Sequence, residues 1–303
     1  MKRYYLLSII ALILFSCEEY EDYVVDTAGY TNVYFPKDVL PRSIVSGEGL
    51  TIKVGVYLGG VRTNTTERRV TFTLDNEVLN ETSYTPLPSD YFTLSDPEEI
   101  VIPEGSFQGL VSIQFDSLKL AADTLLKDFH YALPFRITSA AGDSILTDHE
   151  TTIIPLKLMN TFEGNFYQVG SVKEFLPGLN VLDTVYVYGD TLDGPKTPLR
   201  SLKSIMMDSV TVDGIGTRGG AGYFMKLKVN SEDNSVNVIA DPSSIYQVEP
   251  NGKSTWNPVK RRFTLSYKYS FDGRNFEVEE TLTFRNRVRD GIDEWRWDGF
   301  PGN

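Results

Sequence analysis

The chain has 303 residues, of which 41% are hydrophobic and 12% aromatic, and its formal net charge is −12. That charge repels phosphate backbones and argues against nucleic acid as a partner, while a neutral ligand is compatible with it. A single cysteine excludes any disulfide within the chain, so stability has to come from packing.

The N-terminus opens with Lys2 and Arg3, followed by an apolar run from Tyr4 to Phe15. The run is shorter than the roughly 20 residues needed to span a bilayer, and the pattern is that of a secretory signal. Leu14-Phe15-Ser16-Cys17 resembles a bacterial lipobox. The resemblance implies that residues 1–16 are a lipoprotein signal peptide and that Cys17 is lipidated, each buried methylene contributing about 0.8 kcal/mol to membrane binding. A plain signal peptide with an incidental cysteine is the alternative. Cleavage before Cys17 removes 16 of 303 residues and leaves 287, and loss of Lys2 and Arg3 takes the charge from −12 to −14. That length suits two domains. Glu18, Glu19, Glu21 and Asp22 resemble the surface-export signal of Bacteroidetes lipoproteins. The resemblance implies a lipid-anchored outer-membrane protein facing the cell exterior. A solvated acidic tether over residues 17–30 is the plainer reading.

From there on β patterns dominate. Ile52, Val54, Val56 and Leu58 alternate with polar residues, as do Val70, Phe72 and Leu74, and then Val111, Ile113 and Phe115. A period of two predicts antiparallel strands with one buried face. Ser117 to Leu126 is the one helix candidate of note, and Pro134 predicts an edge or bulge in its strand. Asn32-Val-Tyr-Phe-Pro, Ile100-Val-Ile-Pro-Glu-Gly-Ser and Tyr131-Ala-Leu-Pro-Phe-Arg-Ile-Thr-Ser-Ala-Ala-Gly have a familiar order and spacing. They resemble the immunoglobulin-like N-terminal domain (of the family-1735 domain-of-unknown-function type) of Bacteroides surface lipoproteins in polysaccharide-utilisation loci. In that family the domain has no assigned chemistry and precedes a variable C-terminal module. Some members accompany glycoside hydrolases or glycan-importer proteins of the outer membrane. The resemblance covers residues 31–159 and implies a β-sandwich there.

A boundary is expected near Met159-Asn160-Thr161, leaving residues 160–303 as a second β module. Strands are predicted over Thr184–Tyr188, Ser204–Val212, Tyr223–Val229, Val236–Ala240, Arg262–Ser270 and Phe276–Asn286, with Asp272-Gly273 as a hairpin turn. The pattern is an up-and-down meander that must close or pack to hide its edges. The expected fold is therefore all-β: an immunoglobulin-like β-sandwich followed by an antiparallel calycin-like β-barrel, or by a second sandwich. Gly214 to Gly222 is glycine-rich without a P-loop lysine and reads as a mobile loop.

Chemistry is sparse. His130 and His149 have no second histidine at ligand spacing, so no metal site and no cofactor are expected. No Gly-x-Ser-x-Gly elbow is present, and the 41 acids carry no specific pairing, so the expectation is not an enzyme. The tryptophans are the site candidates, because an indole offers a sugar an apolar platform with a polar edge. Trp256 lies in a polar stretch without strand periodicity and reads as a loop residue, either a sugar platform or a plug at a barrel end. Trp295 and Trp297 share a strand face and are either core or platform. Asp followed by Ser or Thr and an apolar residue resembles a Bacteroides O-glycosylation acceptor. It occurs at Thr27, Ser117, Thr124, Ser144, Thr184, Thr191 and Ser209, where turn capping is the alternative. The expected function is glycan binding without cleavage. The alternative is a structural or adhesive protein with a protein partner, which an exposed hydrophobic edge strand would favour.

Overall fold

The structure is a computed structural model that describes residues 30–189, 191, 192 and 194–295. The first half contributes β1 (Asn32–Tyr34), β2 (Arg42–Val45), β3 (Thr51–Gly59), β4 (Arg68–Leu74), β5 (Thr85–Pro86) and β6 (Phe92–Leu94). It continues with β7 (Glu99–Ile102), β8 (Gln108–Phe115), β9 (Tyr131–Ser139), β10 (Ser144–Ile145) and β11 (Thr151–Met159). One sheet has the order β10-β1-β3-β8-β6; the other runs β2-β11-β9-β4-β7, with β5 beside β9. Both turn apolar side chains into one core, to which Val54, Val56 and Ile113 come from the first sheet and Val70, Phe135 and Ile154 from the second. Each such side chain stabilises by about 1.5–3 kcal/mol when fully buried. The alternation in β3 is as expected, with Ile52, Val54, Val56 and Leu58 all buried. This is the immunoglobulin-like sandwich.

Local expectations hold in this half. The helix candidate forms α1 (Ser117–Ala122), capped by the Asp116 carboxylate, which accepts from the N–H groups of Leu118 and Lys119. Pro134 lies inside the six-stranded sheet but at a local edge. Leu74 at the end of β4 faces Phe135, and β5 takes over opposite Ala132, so the missing N–H falls in the gap between them.

The second half contributes β12 (Gly164–Phe175), β13 (Leu182–Tyr188), β14 (Leu199–Met206), β15 (Ser209–Val212), β16 (Gly214–Ile215) and β17 (Arg218–Gly219). It continues with β18 (Met225–Val229), β19 (Ser235–Ala240), β20 (Val248–Pro250), β21 (Ser254–Asn257), β22 (Arg262–Phe271), β23 (Arg274–Arg289) and β24 (Ile292–Trp295). The antiparallel path β12-β14-β15-β18-β19-β21-β22-β23 returns to its start, because β23 also pairs with β12 from Asn165 to Phe175. The meander is therefore closed into a barrel, which removes most of its edges. The Asp272-Gly273 turn forms as expected, with φ of 50° and 73°.

Two assignments differ. The predicted strand Ser204–Val212 is two strands, β14 and β15, joined at Met207-Asp208; the tight turn is hidden in a continuous β-like sequence. Trp256 is in strand β21, not in a loop. The burial alternation there is carried partly by Ser254, a polar residue that period-two reading on apolar residues passes over.

Asn160 is fully buried where the halves meet. Its side-chain amide donates to the carbonyls of Met206 and Ser209, each at 2.8 Å, and its N–H donates to Ser204 Oγ at 2.9 Å. Farther out, Glu48 of the sandwich accepts from Arg287 of the barrel at 2.7 Å, and Ser43 N–H donates to Asp290 at 2.8 Å. These ties are polar, and each half has its own buried apolar cluster, with Met207 of the barrel half packing onto that of the sandwich. Residues 161–303 expressed alone are therefore expected to unfold in one cooperative transition followed by circular dichroism. A gradual loss of signal would mean that the sandwich completes the barrel's core.

Candidate functional site

The barrel interior is filled. Phe166, Phe263, Tyr267, Leu282 and Phe284 are all fully buried within it. At mid-height the Glu280 carboxylate accepts from Gln168 Nε2 and the Tyr188 hydroxyl, each at 2.6 Å, and from the Tyr267 hydroxyl at 2.9 Å. Burial pushes the Glu280 carboxyl up, against the pull of these donors and of the charge on Arg200.

The start of the glycine-rich stretch, Gly214 to Gly216, is buried and plugs this interior, while residues 217–221 are exposed. Gly216 N–H donates to the Tyr267 hydroxyl at 2.8 Å, and the Gly216 carbonyl accepts from Gln168 at 2.9 Å and Arg200 at 3.3 Å. Gly216 has φ +53°, and a Cβ on Gly219 would overlap the Arg200 guanidinium. The glycines let the backbone enter the barrel and lie against a buried cation.

Above the plug, at the end of β12 farther from Asn160, is a cavity of about 330 Å³. Its wall is a ladder of rings. Tyr246 stacks on Tyr269 at 4.6 Å, and Tyr269 on Phe276 at 4.7 Å, with interplanar angles of 11° and 12°. Phe271, at 4.9 Å from Tyr246, and Tyr186 complete the wall and are 47% and 45% exposed. The polar rim is fixed by Arg274, which donates to Glu174 at 2.6 Å and Asp183 at 2.8 Å, while Tyr186 donates to Glu174 at 2.8 Å. That hydrogen bond to Glu174 raises the Tyr186 pKa, and burial raises that of Tyr269, so both hydroxyls stay protonated donors. An exposed apolar platform beside fixed donors and acceptors is what a carbohydrate ring needs.

The tryptophans lie at the other end. Trp256 and Trp295 line one cavity of about 570 Å³, with Arg261 and Arg287 and with Glu48 from the sandwich. Trp256 is only 7% exposed and packs on Phe162 at 5.2 Å and Phe263 at 4.4 Å. It is buried at this barrel end, as the plug reading expects, while an edge of it lines the cavity. Trp295 is half-buried, with the Arg285 guanidinium 4.6 Å from its ring centroid. Arg261 lies 3.4 Å from the Phe284 ring centroid, and burial together with Arg287 pushes its pKa down to about 10. Trp297, Cys17 and Thr27 lie outside the described residues.

Of the other O-glycosylation candidates, Ser117, Thr124, Ser144 and Thr191 are exposed and Thr184 is half-buried. Ser209 is buried at the start of β15 and donates to Asp208 at 2.6 Å, so it is not an available acceptor. His149 lies 3.3 Å from Asp38, and His130 packs edge-on against Tyr131 at 4.8 Å.

A family model described as a "-like, N-terminal domain" matches residues 23–144, less than half of the chain. No curated protein matches. Among solved structures, a Bacteroides ovatus protein of unknown function is 17% identical with a TM-score of 0.72, over 88% of this chain and 98% of that one. The likeness is one of fold. A Bacteroides ovatus multidomain protein including DUF1735 is 15% identical with a TM-score of 0.46, over 88% of this chain and all of that one. A lipoprotein from Bacteroides thetaiotaomicron is 8% identical with a TM-score of 0.30, over 84% of this chain and all of that one. No helix among the described residues is long and apolar enough to cross a membrane.

Proposed function

We propose that the protein is a non-catalytic, cell-surface lipoprotein of a polysaccharide-utilisation system that holds a glycan at the far mouth of its barrel. The observation that carries this reading is the exposed pair Phe271 and Tyr186 at the mouth of the basin, backed by the stack of Tyr246, Tyr269 and Phe276, whose two tyrosines are themselves buried. A pyranose places its C–H face on such rings and its hydroxyls on the rim. Glu174 and Asp183 are both engaged by Arg274, which supports positioning over acid–base chemistry. Anchorage through Cys17, exposure to the exterior and work beside outer-membrane glycan importers rest on the pattern of residues 14–22.

A glycan array followed by calorimetry tests the site. Phe271→Ala and Tyr186→Ala are each expected to weaken binding about three- to twelvefold, the value of one stacked ring, with the melting temperature nearly unchanged. Unchanged affinity in both variants would remove the basin as the site. One observation favours a protein partner as a second reading. Among the described residues β13 pairs with β12 alone, and it exposes Leu182, Val185 and Val187, the last at 76%. A free apolar edge of this kind accepts an added strand. Binding of an extended peptide that Val185→Lys abolishes, with glycan binding absent, would put that reading first.

A further inference from the structure

We infer that the basin takes an acidic sugar, a uronic acid held through its carboxylate by Arg218; this rests on the glycan reading above. Arg218 lines the basin with Tyr246, Tyr269 and Phe271 and is exposed. Among the described residues it has no carboxylate partner, whereas Arg274 on the same rim is saturated by Glu174 and Asp183. The backbone below Arg218 is fixed. Its hairpin partner is Ile215, the next residue Gly216 is tied to Tyr267, Gln168 and Arg200, and Gly219 lies flat on the Arg200 guanidinium. The plug thus presents a guanidinium at a set height beside the ring wall. The chain's net charge of −12 opposes an anion at long range, so an acidic sugar would have to be held by the local contact with this one guanidinium. A guanidinium fork fits a carboxylate bidentately. Phe271 is the exposed ring of this wall on which a sugar face can lie, and Arg218 lines the same basin. Asp272, with Glu174 and Asp183 around the single charge of Arg274, makes the opposing charge on the rim; these acids suit sugar hydroxyls and work against a second anionic group.

The test is a glycan array printed with matched pairs, each uronic-acid oligosaccharide beside its methyl ester, followed by calorimetry on the best pair. The full protein is expected to prefer the acid form. Arg218→Gln should lower affinity for the acid about tenfold, leave the ester unchanged and leave the melting temperature unmoved. Arg218→Lys should restore part of the loss, and Asp272→Asn should tighten acid binding. Equal binding of acid and ester, or a preference for neutral glycans that Arg218→Gln does not alter, overturns the inference and leaves the glycan reading standing. No binding in either arm overturns both.

Discussion

Replacing Glu280 by alanine is expected to destabilise the protein by about 3–5 kcal/mol, the cost of removing one partner from a buried charged group. The carboxylate is 3% exposed and is the common acceptor for Tyr188, Tyr267 and Gln168, while its charge acts on the buried Arg200. Alanine would leave two hydroxyls and an amide without that acceptor, and the Arg200 guanidinium without a nearby counter-charge, inside a closed barrel. It would also loosen the plug, since Tyr267 and Gln168 are the groups that hold Gly216. Urea unfolding checks the magnitude, and a loss below about 1 kcal/mol would mean that water replaces the carboxylate at no great cost. The isosteric Glu280→Gln should cost much less and isolates the proton. The Glu280 pKa is raised by burial above the 4.5 of an unfolded chain. Between 4.5 and its folded value the native state therefore holds a proton that the unfolded state has released. Stability from this group must fall as the pH rises through that window. The wild-type-minus-Gln difference in unfolding free energy is expected to decline as pH rises above 4.5, and a difference that grows would reverse the assignment.

Trp256→Ala is the second large effect, about 3–5 kcal/mol, as for other large aromatic truncations in a core. The indole is edge-on to Phe162 and tilted on Phe263, and it seals the barrel end that meets the sandwich. The melting temperature should fall by roughly 10 °C. Trp256→Phe keeps part of the ring contact and should recover a large share. Glycan affinity of the folded fraction should stay the same, because the basin lies at the opposite end. A variant that melts like the wild type but loses glycan would return the site to the tryptophans.

The sandwich was legible where strands bury one face, as in β3, where Ile52, Val54, Val56 and Leu58 alternate without a break; β9 and β11 are buried on both faces. The meander was legible for the same reason, and Asp272-Gly273 marked its last hairpin. The site was not. Tyr186, Tyr246, Tyr269, Phe271 and Phe276 come from separate stretches, and only strand register brings their rings together. Tyr267 and Tyr269 share a face, yet one donates to Glu280 in the core and the other lines the basin, a difference of height along the barrel that periodicity does not carry. Trp256 was read as a loop ring because a polar β21 disguised a buried strand residue. The glycines of the plug were visible, but their reason, the Arg200 guanidinium beneath them, depends on a tertiary contact.

Closure of the barrel by β12 against β23 has a kinetic consequence. The first and last long strands of the ring are separated in sequence by every other strand in it, yet they share the most extended ladder of the barrel, with Phe166 facing Phe284. Such pairing demands a large loss of chain entropy before any of its contacts form, which places folding in the slow, milliseconds-to-seconds class. Until β23 has emerged, β12 presents an unpaired edge and an uncovered apolar face. The nascent chain is thus most prone to aggregate in the interval just before synthesis of its last strands is complete, and a holding chaperone would act on it there.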